Sequence, residues 1–336
     1  MTAVSGSPQA KGIPMSNISP EGAVKVAVTV DDFVLWDGLP MPDGITPLGI
    51  TKSLAATLTD HGVTGVYGFS HTHRLDLDPG LMAAWEAWVE AGHHLGNHTH
   101  LHAPLRWMSG DQYCADIDKA EALIGKLIEM APERYFRYAM DMAGETETKR
   151  GQVEDHLRAT GYQNAPITAW FGDFAWIVPY YRAVVSKDED AKRMLQETYV
   201  SSAVGQLAAH AQVARTLFGR DIPLIWLIHG TTIAIDTLST ILDAFTEQGV
   251  EFITLREAMS HPVHIGMPPV SSEFLLNHLQ RYAIAAGLPE PHLDPELFGQ
   301  VITAAPVEGY DTVPVFEEGM LRPLAQRAGA AYDWTW

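Results

Sequence analysis

The chain reads as an α/β protein, a distorted (β/α) barrel of about seven parallel strands with its working face at the strand carboxyl ends. Three observations predict this. From residue 24 onward, short apolar runs alternate with segments of helical period. Seven such runs can be counted. Several of them end directly in Asp, His or Arg, at the end of a strand where barrels carry their chemistry.

The expected strands are Lys25 to Val30, Val66 to Ser70, His94 to Asn97, Tyr135 to Arg137, Tyr162 to Thr168, Pro223 to Ile228 and Glu251 to Thr254. The best-marked helix starts at Ser109. Ser109 and Gln112 form a capping-box pattern, and Tyr113, Ile117, Ala120, Leu123, Ile124, Leu127 and Ile128 share one helical face. A second helix is expected from near Asp236, with Leu238, Ile241, Leu242 and Phe245 at helical spacing and Gly249 as its stop. Residues 169 to 222 hold an aromatic loop from Trp170 to Tyr181 and then two helices. From Pro262 to Trp336 the sequence is rich in proline and without clear period, which reads as a lid, an oligomer contact or a wrap around the barrel.

These elements divide the chain into a flexible lead over residues 1–22, a catalytic domain over 23–261 and a C-terminal extension over 262–336. Both Met1 and Met15 qualify as starts. At 336 residues and 46% hydrophobic content, the chain can bury a large core. Its 22 basic and 41 acidic residues give a formal charge of −19, which repels phosphate backbones and acidic membrane surfaces, so neither nucleic acid nor membrane is an expected partner. No run of about eighteen apolar residues and no signal-peptide pattern is present, so the chain as it stands reads as cytoplasmic, with export left open. The extension is a candidate surface for homo-oligomers.

The single cysteine, Cys114, rules out an internal disulfide or a CxxC site, so a metal would have to rest on His, Asp or Glu. The first strand, KVAVTV, runs into Asp31 and Asp32. Taken alone, a DD pair is a turn or a helix cap. Two adjacent carboxylates resist joint ionisation unless a cation lies near them, however. The third strand ends in HTHLH, and on one helical turn His98 and His102 would share a face and bind one ion. Two His and one carboxylate suit Zn²⁺ and leave open positions, although Co²⁺, Mn²⁺, Ni²⁺ and Fe²⁺ are compatible. His100 would point away from that face. His61, His156, His210, His278 and His292 read as ordinary structural or surface residues, whereas His71 and His73, in a loop after the second strand, read first as solvent-facing polar residues and second as substrate contacts at the same mouth.

These motifs resemble, in order, those of the polysaccharide deacetylase family, the NodB-homology domain of carbohydrate esterase family 4. TVDD is similar to the first motif, which makes Asp31 the catalytic base and Asp32 a metal ligand. HTHLH is similar to the second, with His98 and His102 as the other ligands. Phe136-Arg137-Tyr138-Ala139-Met140 is similar to the third, although Ala139 stands where the family has proline and Met140 where it often has tyrosine. The resemblance makes Arg137 the partner of Asp31 and the Met140 backbone N–H an oxyanion donor.

Trp170-Phe171-Gly172-Asp173-Phe174 is similar to the fourth motif. Here Trp170 replaces the family's aspartate and Phe174 its tryptophan, with Trp176 near enough to offer an indole. Asp173 is implied to tune the catalytic histidine. The sixth strand leads to His229-Gly230, the fifth motif, with His229 as general acid and Leu227 lining an acetyl-methyl pocket. The resemblance spans about residues 24 to 260 and leaves the extension unmatched.

What it implies is a metal-dependent hydrolase that removes acetyl groups from an acetylated sugar, an N-acetylglucosamine polymer or oligomer first and acetylxylan second. Asp31 would take a proton from water activated at the ion, and His229 would protonate the departing amine or alkoxide. One alternative is hydrolysis of small cyclic amides, ureides or imides on the same fold. Another is a non-catalytic sugar-binding module, which the presence of both Asp31 and His229 disfavours.

Overall fold

The computed structural model describes residues 23–33 and 39–334, so the lead expected over residues 1–22 lies outside the described residues. The chain order is β1 (Lys25–Asp31), α1 (Pro47–Asp60), β2 (Tyr67–Ser70), α2 (Leu81–Glu90), β3 (His94–Asn97), α3 (Gly110–Ile128), β4 (Tyr135–Phe136), α4 (Glu147–Ala159) and β5 (Gln163–Asn164). There follow α5 (Ile177–Ser186), α6 (Glu189–Phe218), β6 (Leu224–His229), α7 (Thr232–Glu247), β7 (Glu251–Phe252) and α8 (Leu255–Met259). The extension adds α9 (Pro262–Ile265), α10 (His278–Ala285), α11 (Pro295–Thr303), α12 (Thr312–Phe316) and α13 (Arg322–Arg327).

All strand pairings are parallel, in the order β5-β4-β3-β2-β1-β6, with β7 paired to β1 at Lys25 and Val26. The sheet curls until it meets itself. Beyond β5 the same segment reaches β6, where Ala169 bridges Trp226 and the Leu227 N–H donates to the Ala169 carbonyl at 3.1 Å. The expected α/β barrel of parallel strands is therefore found, with β4, β5 and β7 shorter than their apolar runs suggested.

Side-chain alternation explains the layers. Val26, Val28 and Val30 of β1 face outward into the large core shared with the helices, whereas Ala27 faces inward. Inside the barrel Ala27, Tyr67, Phe69, Tyr135, Ala165 and Ile225 pack against Leu255, Ala258 and Met259 of α8. Those strand residues lie below the carboxyl ends, so α8 plugs the barrel from its amino-terminal side. Above this plug, the inward positions of β1 become polar: Thr29, then Asp31.

The capping box at Ser109 is present, with the Gln112 N–H donating to Ser109 Oγ at 3.2 Å and the Ser109 N–H to Gln112 Oε1 at 2.9 Å, a cap that contributes about 1 kcal/mol. α7 begins four residues earlier than the apolar spacing suggested, because Thr231 caps it by accepting from the Ala234 N–H. Two expectations need correction. The aromatic stretch from Trp170 to Tyr181 is mostly a 3₁₀ turn (Asp173–Trp176) running into α5, not a loop. The extension is largely helical, its prolines Pro262 and Pro295 standing in first turns, where a missing N–H costs nothing. Its Leu279, Val301, Leu321 and Leu324 belong to the same apolar core as the barrel's outer face. Among the described residues no helix is long and apolar enough to cross a membrane.

Candidate metal centre and active site

At the top of β1 the two aspartates part ways. Asp31 continues the inward face and is buried against Arg137, whose Nη1 donates to its Oδ1 at 2.7 Å and to Thr29 Oγ1 at 2.9 Å. The same guanidinium donates from Nε to the Ala165 carbonyl at 3.1 Å and lies 4.1 Å over the Phe69 ring. Asp32 adopts a left-handed backbone (φ 43°), which swings its carboxylate sideways toward the end of β3. The Gly230 N–H ties the strand end down by donating to the carbonyls of Asp31 (3.0 Å) and Asp32 (3.2 Å).

HTHLH is not the helical turn its spacing suggested. Thr99 and His102 are left-handed (φ 68° and 64°), and the loop is held by side chains instead. Asn97 Oδ1 accepts from the Thr99 N–H, Thr99 Oγ1 accepts from the His102 N–H, and Asp116 of α3 accepts from the N–H groups of His100 and Leu101. His100 is engaged away from the centre, its Nδ1 at 2.9 Å from Thr72 Oγ1. His98 Nδ1 lies 2.9 Å from the Arg137 carbonyl; that oxygen can only accept, so Nδ1 carries the proton and Nε2 keeps its lone pair for the site.

The outcome is a compact donor set. One ligand atom each from Asp32, His98 and His102 lies within 4.8 Å of the others, and His102 Nε2 is 3.3 Å from Asp32 Oδ2. Burial would raise the Asp32 carboxyl, but His102, His71 and His98 beside it hold it well below the usual carboxylate range. Burial is also what pushes His98 down, and His102 well down, from an ordinary imidazole. An ionised carboxylate beside two neutral imidazoles is the protonation state that a divalent ion requires, so the donor set fits the ion that its chemistry implies.

His229 ends β6, the strand next to β1, and lines the same pocket as this set. Its Nδ1 lies 2.7 Å from Asp173 Oδ1 and its backbone N–H donates to Asp173 Oδ2 at 2.8 Å. Asp173 is fully buried and also accepts from Trp170 Nε1 at 2.8 Å and from the Tyr199 hydroxyl at 3.4 Å. Burial alone would lower His229, but the Asp173 charge and hydrogen bond, helped by Asp32 and Asp31, push it up to about 9. The aspartate is correspondingly held below its ordinary value, against its own burial, by His229 and Trp170.

Of the residues expected at the site, Asp31, Asp32, His98, His102, Met140, Trp170, Phe174, Leu227 and His229 line one pocket. Arg137 and Asp173 lie behind it, each against the residue it was expected to serve. Trp176 is a correction. It is fully buried, donates from Nε1 to Thr198 Oγ1 at 2.9 Å and packs on Phe171 and Tyr199, because the 3₁₀ turn from Asp173 to Trp176 turns it into the core. Ala139, where proline was the family expectation, uses its N–H: it donates to the Tyr113 hydroxyl at 3.3 Å. Met140 and Asp141 are both left-handed (φ 55° and 53°), and their carbonyls accept from the Leu275 N–H (3.2 Å) and Arg281 Nη2 (2.6 Å) of the extension.

Three residues at the site were misassigned or missed in the sequence reading. His71 is not solvent-facing; its Nδ1 lies 2.6 Å from Asp32 Oδ1 with its side chain 11% exposed, and the neighbouring His73 is buried. Asp141 lines the pocket, and burial pushes its carboxyl up to about 7. The SHTH string was the only signal for His71, and nothing in the sequence joins it to Asp32.

Residues 20–162 match the family model described as polysaccharide deacetylase. This carries the resemblance read from the motifs, and with it the class of hydrolytic enzyme, over the segment that holds Asp31, Asp32, His98, His102 and Arg137. No curated protein matches the chain. Solved structures similar to it include a pseudoenzyme of carbohydrate esterase family 4 from Bacillus anthracis (14% identity, 70% of this chain and 66% of that one, TM-score 0.47). A family 4 carbohydrate esterase of Bacillus subtilis is 18% identical over 71% of this chain and 81% of its own, with a TM-score of 0.45. A polysaccharide deacetylase from Bacillus cereus is 18% identical over 74% and 96%, with a TM-score of 0.46.

Proposed function

We propose that this chain, which matches the polysaccharide deacetylase family model over residues 20–162, removes an acetyl group by divalent-metal-dependent hydrolysis of a C–N or ester C–O bond. One observation carries the reading: the Asp32, His98 and His102 donor atoms converge within 4.8 Å, beside an Asp31 carboxylate buried against Arg137. A divalent ion held there, Zn²⁺ first by its donor chemistry, would supply Lewis acidity toward the acyl oxygen and lower the pKa of water.

The chain's own residues do the rest. Arg137 keeps Asp31 oriented with Oδ1, leaving Oδ2 to accept a proton from the attacking water. His229, protonated through its pairing with Asp173, gives its proton to the departing nitrogen or oxygen. Met140 lines the pocket on a left-handed turn whose carbonyl accepts from the Leu275 N–H, and its backbone N–H is the oxyanion donor that the family resemblance implies. Acetylated sugars are the substrates that the family resemblance implies, N-acetylglucosamine oligomers before acetylxylan. Loading purified protein with Zn²⁺, Co²⁺ or Mn²⁺ and assaying acetate release from both, with elemental analysis of the His98→Ala and His102→Ala variants, tests the reading. Full metal occupancy in both variants, or activity indifferent to chelation, would sink it.

A further inference from the structure

The pocket is roofed by the extension. Leu275, Phe316, Met320, Leu321, Leu324 and Trp334 line the pocket beside Met140, Ile167 and Phe174, with the Leu275 N–H on the Met140 carbonyl at 3.2 Å and Phe316 packed on Phe174 at 5.8 Å, around a volume of about 100 Å³. That is the size class of a cavity that takes one small aromatic molecule, on the order of 150 Å³. The roof is fastened rather than laid over. Asp333 accepts from Trp107 Nε1 at 2.6 Å and pairs with Arg106, Trp334 packs on Phe274 at 4.4 Å, and Arg322 lies 4.4 Å over the Tyr332 ring.

Two of the groups that could read sugar hydroxyls are spent elsewhere. The Tyr138 hydroxyl is turned out to Glu154 at 2.9 Å, and the Trp170 indole N–H is committed to Asp173. Beyond the proposed ligands, base and acid, the ionisable members of the lining are His71, His73, Asp141 and Arg327. His71 is held on Asp32. A polysaccharide needs an open groove with hydrogen-bonding walls, whereas buried hydrocarbon walls favour a ligand that brings apolar surface to them.

We propose that the substrate is a small amide or ester carrying an alkyl or aryl group that fills this roofed pocket, and not a polysaccharide chain. The proposal rests on the hydrolase reading above. The reaction balances as simple hydrolysis: water oxygen bonds to the acyl carbon, the C–N or C–O bond breaks, Asp31 takes one water proton and His229 delivers one to the leaving group.

The test uses the full chain loaded with Zn²⁺, with acetanilide and tetra-N-acetylchitotetraose as probes, each measured by calorimetric binding and by acetate release. Acetanilide should bind and turn over with at least about a tenfold advantage, the discrimination that apolar pockets typically give. Trp334→Ala should raise its KM and Kd by about tenfold with little change in kcat, the signature of lost uniform binding. Chitotetraose bound or cleaved as well as acetanilide would overturn the proposal, as would a Trp334→Ala variant with unaltered Kd for acetanilide. Should neither probe turn over, the hydrolase reading fails, while the binding ratio still decides the substrate class.

Discussion

Asp31 and His229 are register partners, facing each other across adjacent parallel strands β1 and β6. Strand spacing is about 4.8 Å, so the sheet itself sets the separation of the proposed base and acid, and no loop movement can change it much. The two groups are then braced independently, Asp31 by Arg137 and His229 by Asp173. The two braces share no residue.

Removing the base should spare the metal. Asp31→Asn is expected to retain its divalent ion by elemental analysis and to lose about 10²- to 10⁴-fold in kcat, the usual general-base contribution. Arg137→Ala should behave differently, leaving the Asp31 carboxylate buried without its partner at a cost of about 3–5 kcal/mol in unfolding free energy. Metal loss in Asp31→Asn, with retention in Asp32→Asn, would exchange the two roles.

The acid has a pH signature. His229 must be protonated to donate, and its pairing with Asp173 keeps it so up to about 9, so NMR titration of the metal-free protein should place its midpoint there. Asp173→Asn removes the charge, lowers that midpoint and shifts the alkaline limb of the loaded enzyme's pH–rate profile downward. The stability linkage has the same sign. A folded-state pKa raised above the ordinary 6.5 gives a contribution that is full below pH 6.5 and is lost as pH rises through about 9. An alkaline limb unmoved in Asp173→Asn would remove the pair from the acid role.

His71 should matter for the metal although it is not among the proposed ligands. Its hydrogen bond orients the Asp32 carboxylate, and losing such an outer partner typically weakens metal binding about 10- to 100-fold. Competition of His71→Phe against a chelating dye reads this directly. Affinity equal to the parent protein would show that Asp32 holds its position unaided.

Gly230 leaves no room for a side chain. A Cβ there would stand 2.6 Å from Phe33 Cα and 2.8 Å from its carbonyl oxygen, backbone atoms that cannot swing aside. Gly230→Ala should therefore cost about 1–3 kcal/mol in denaturant unfolding, typical of overpacking, and weaken metal binding by displacing the strand end that Gly230 pins. Normal unfolding and metal affinity together would contradict this account.

What the sequence revealed followed distance along the chain. The alternation in KVAVTV and the Ser109-Gln112 box are local signals, and both elements form as read. The pairing of His98 with His102 at one centre was legible from spacing, but the means of pairing was not. It depends on two left-handed residues and on Asp116, whose link to the loop exists only once α3 packs behind β3. The contact of His71 with Asp32 is equally non-local. Trp176 misled because aromatic side chains serve core and sugar binding alike, and only the turn after Asp173 decides between them. The extension hid its helices because they are short and start at prolines, so no long period emerges.

α8 seals the barrel from beneath, and that makes the pocket a blind alley. Water, substrate and both fragments would then pass by way of the strand carboxyl ends, where the pocket lies. In the proposed reaction the carboxylic acid fragment would form against Asp32, His98 and His102. Accumulating acid should then compete with fresh substrate for the same floor, an inhibition by product that progress curves would show.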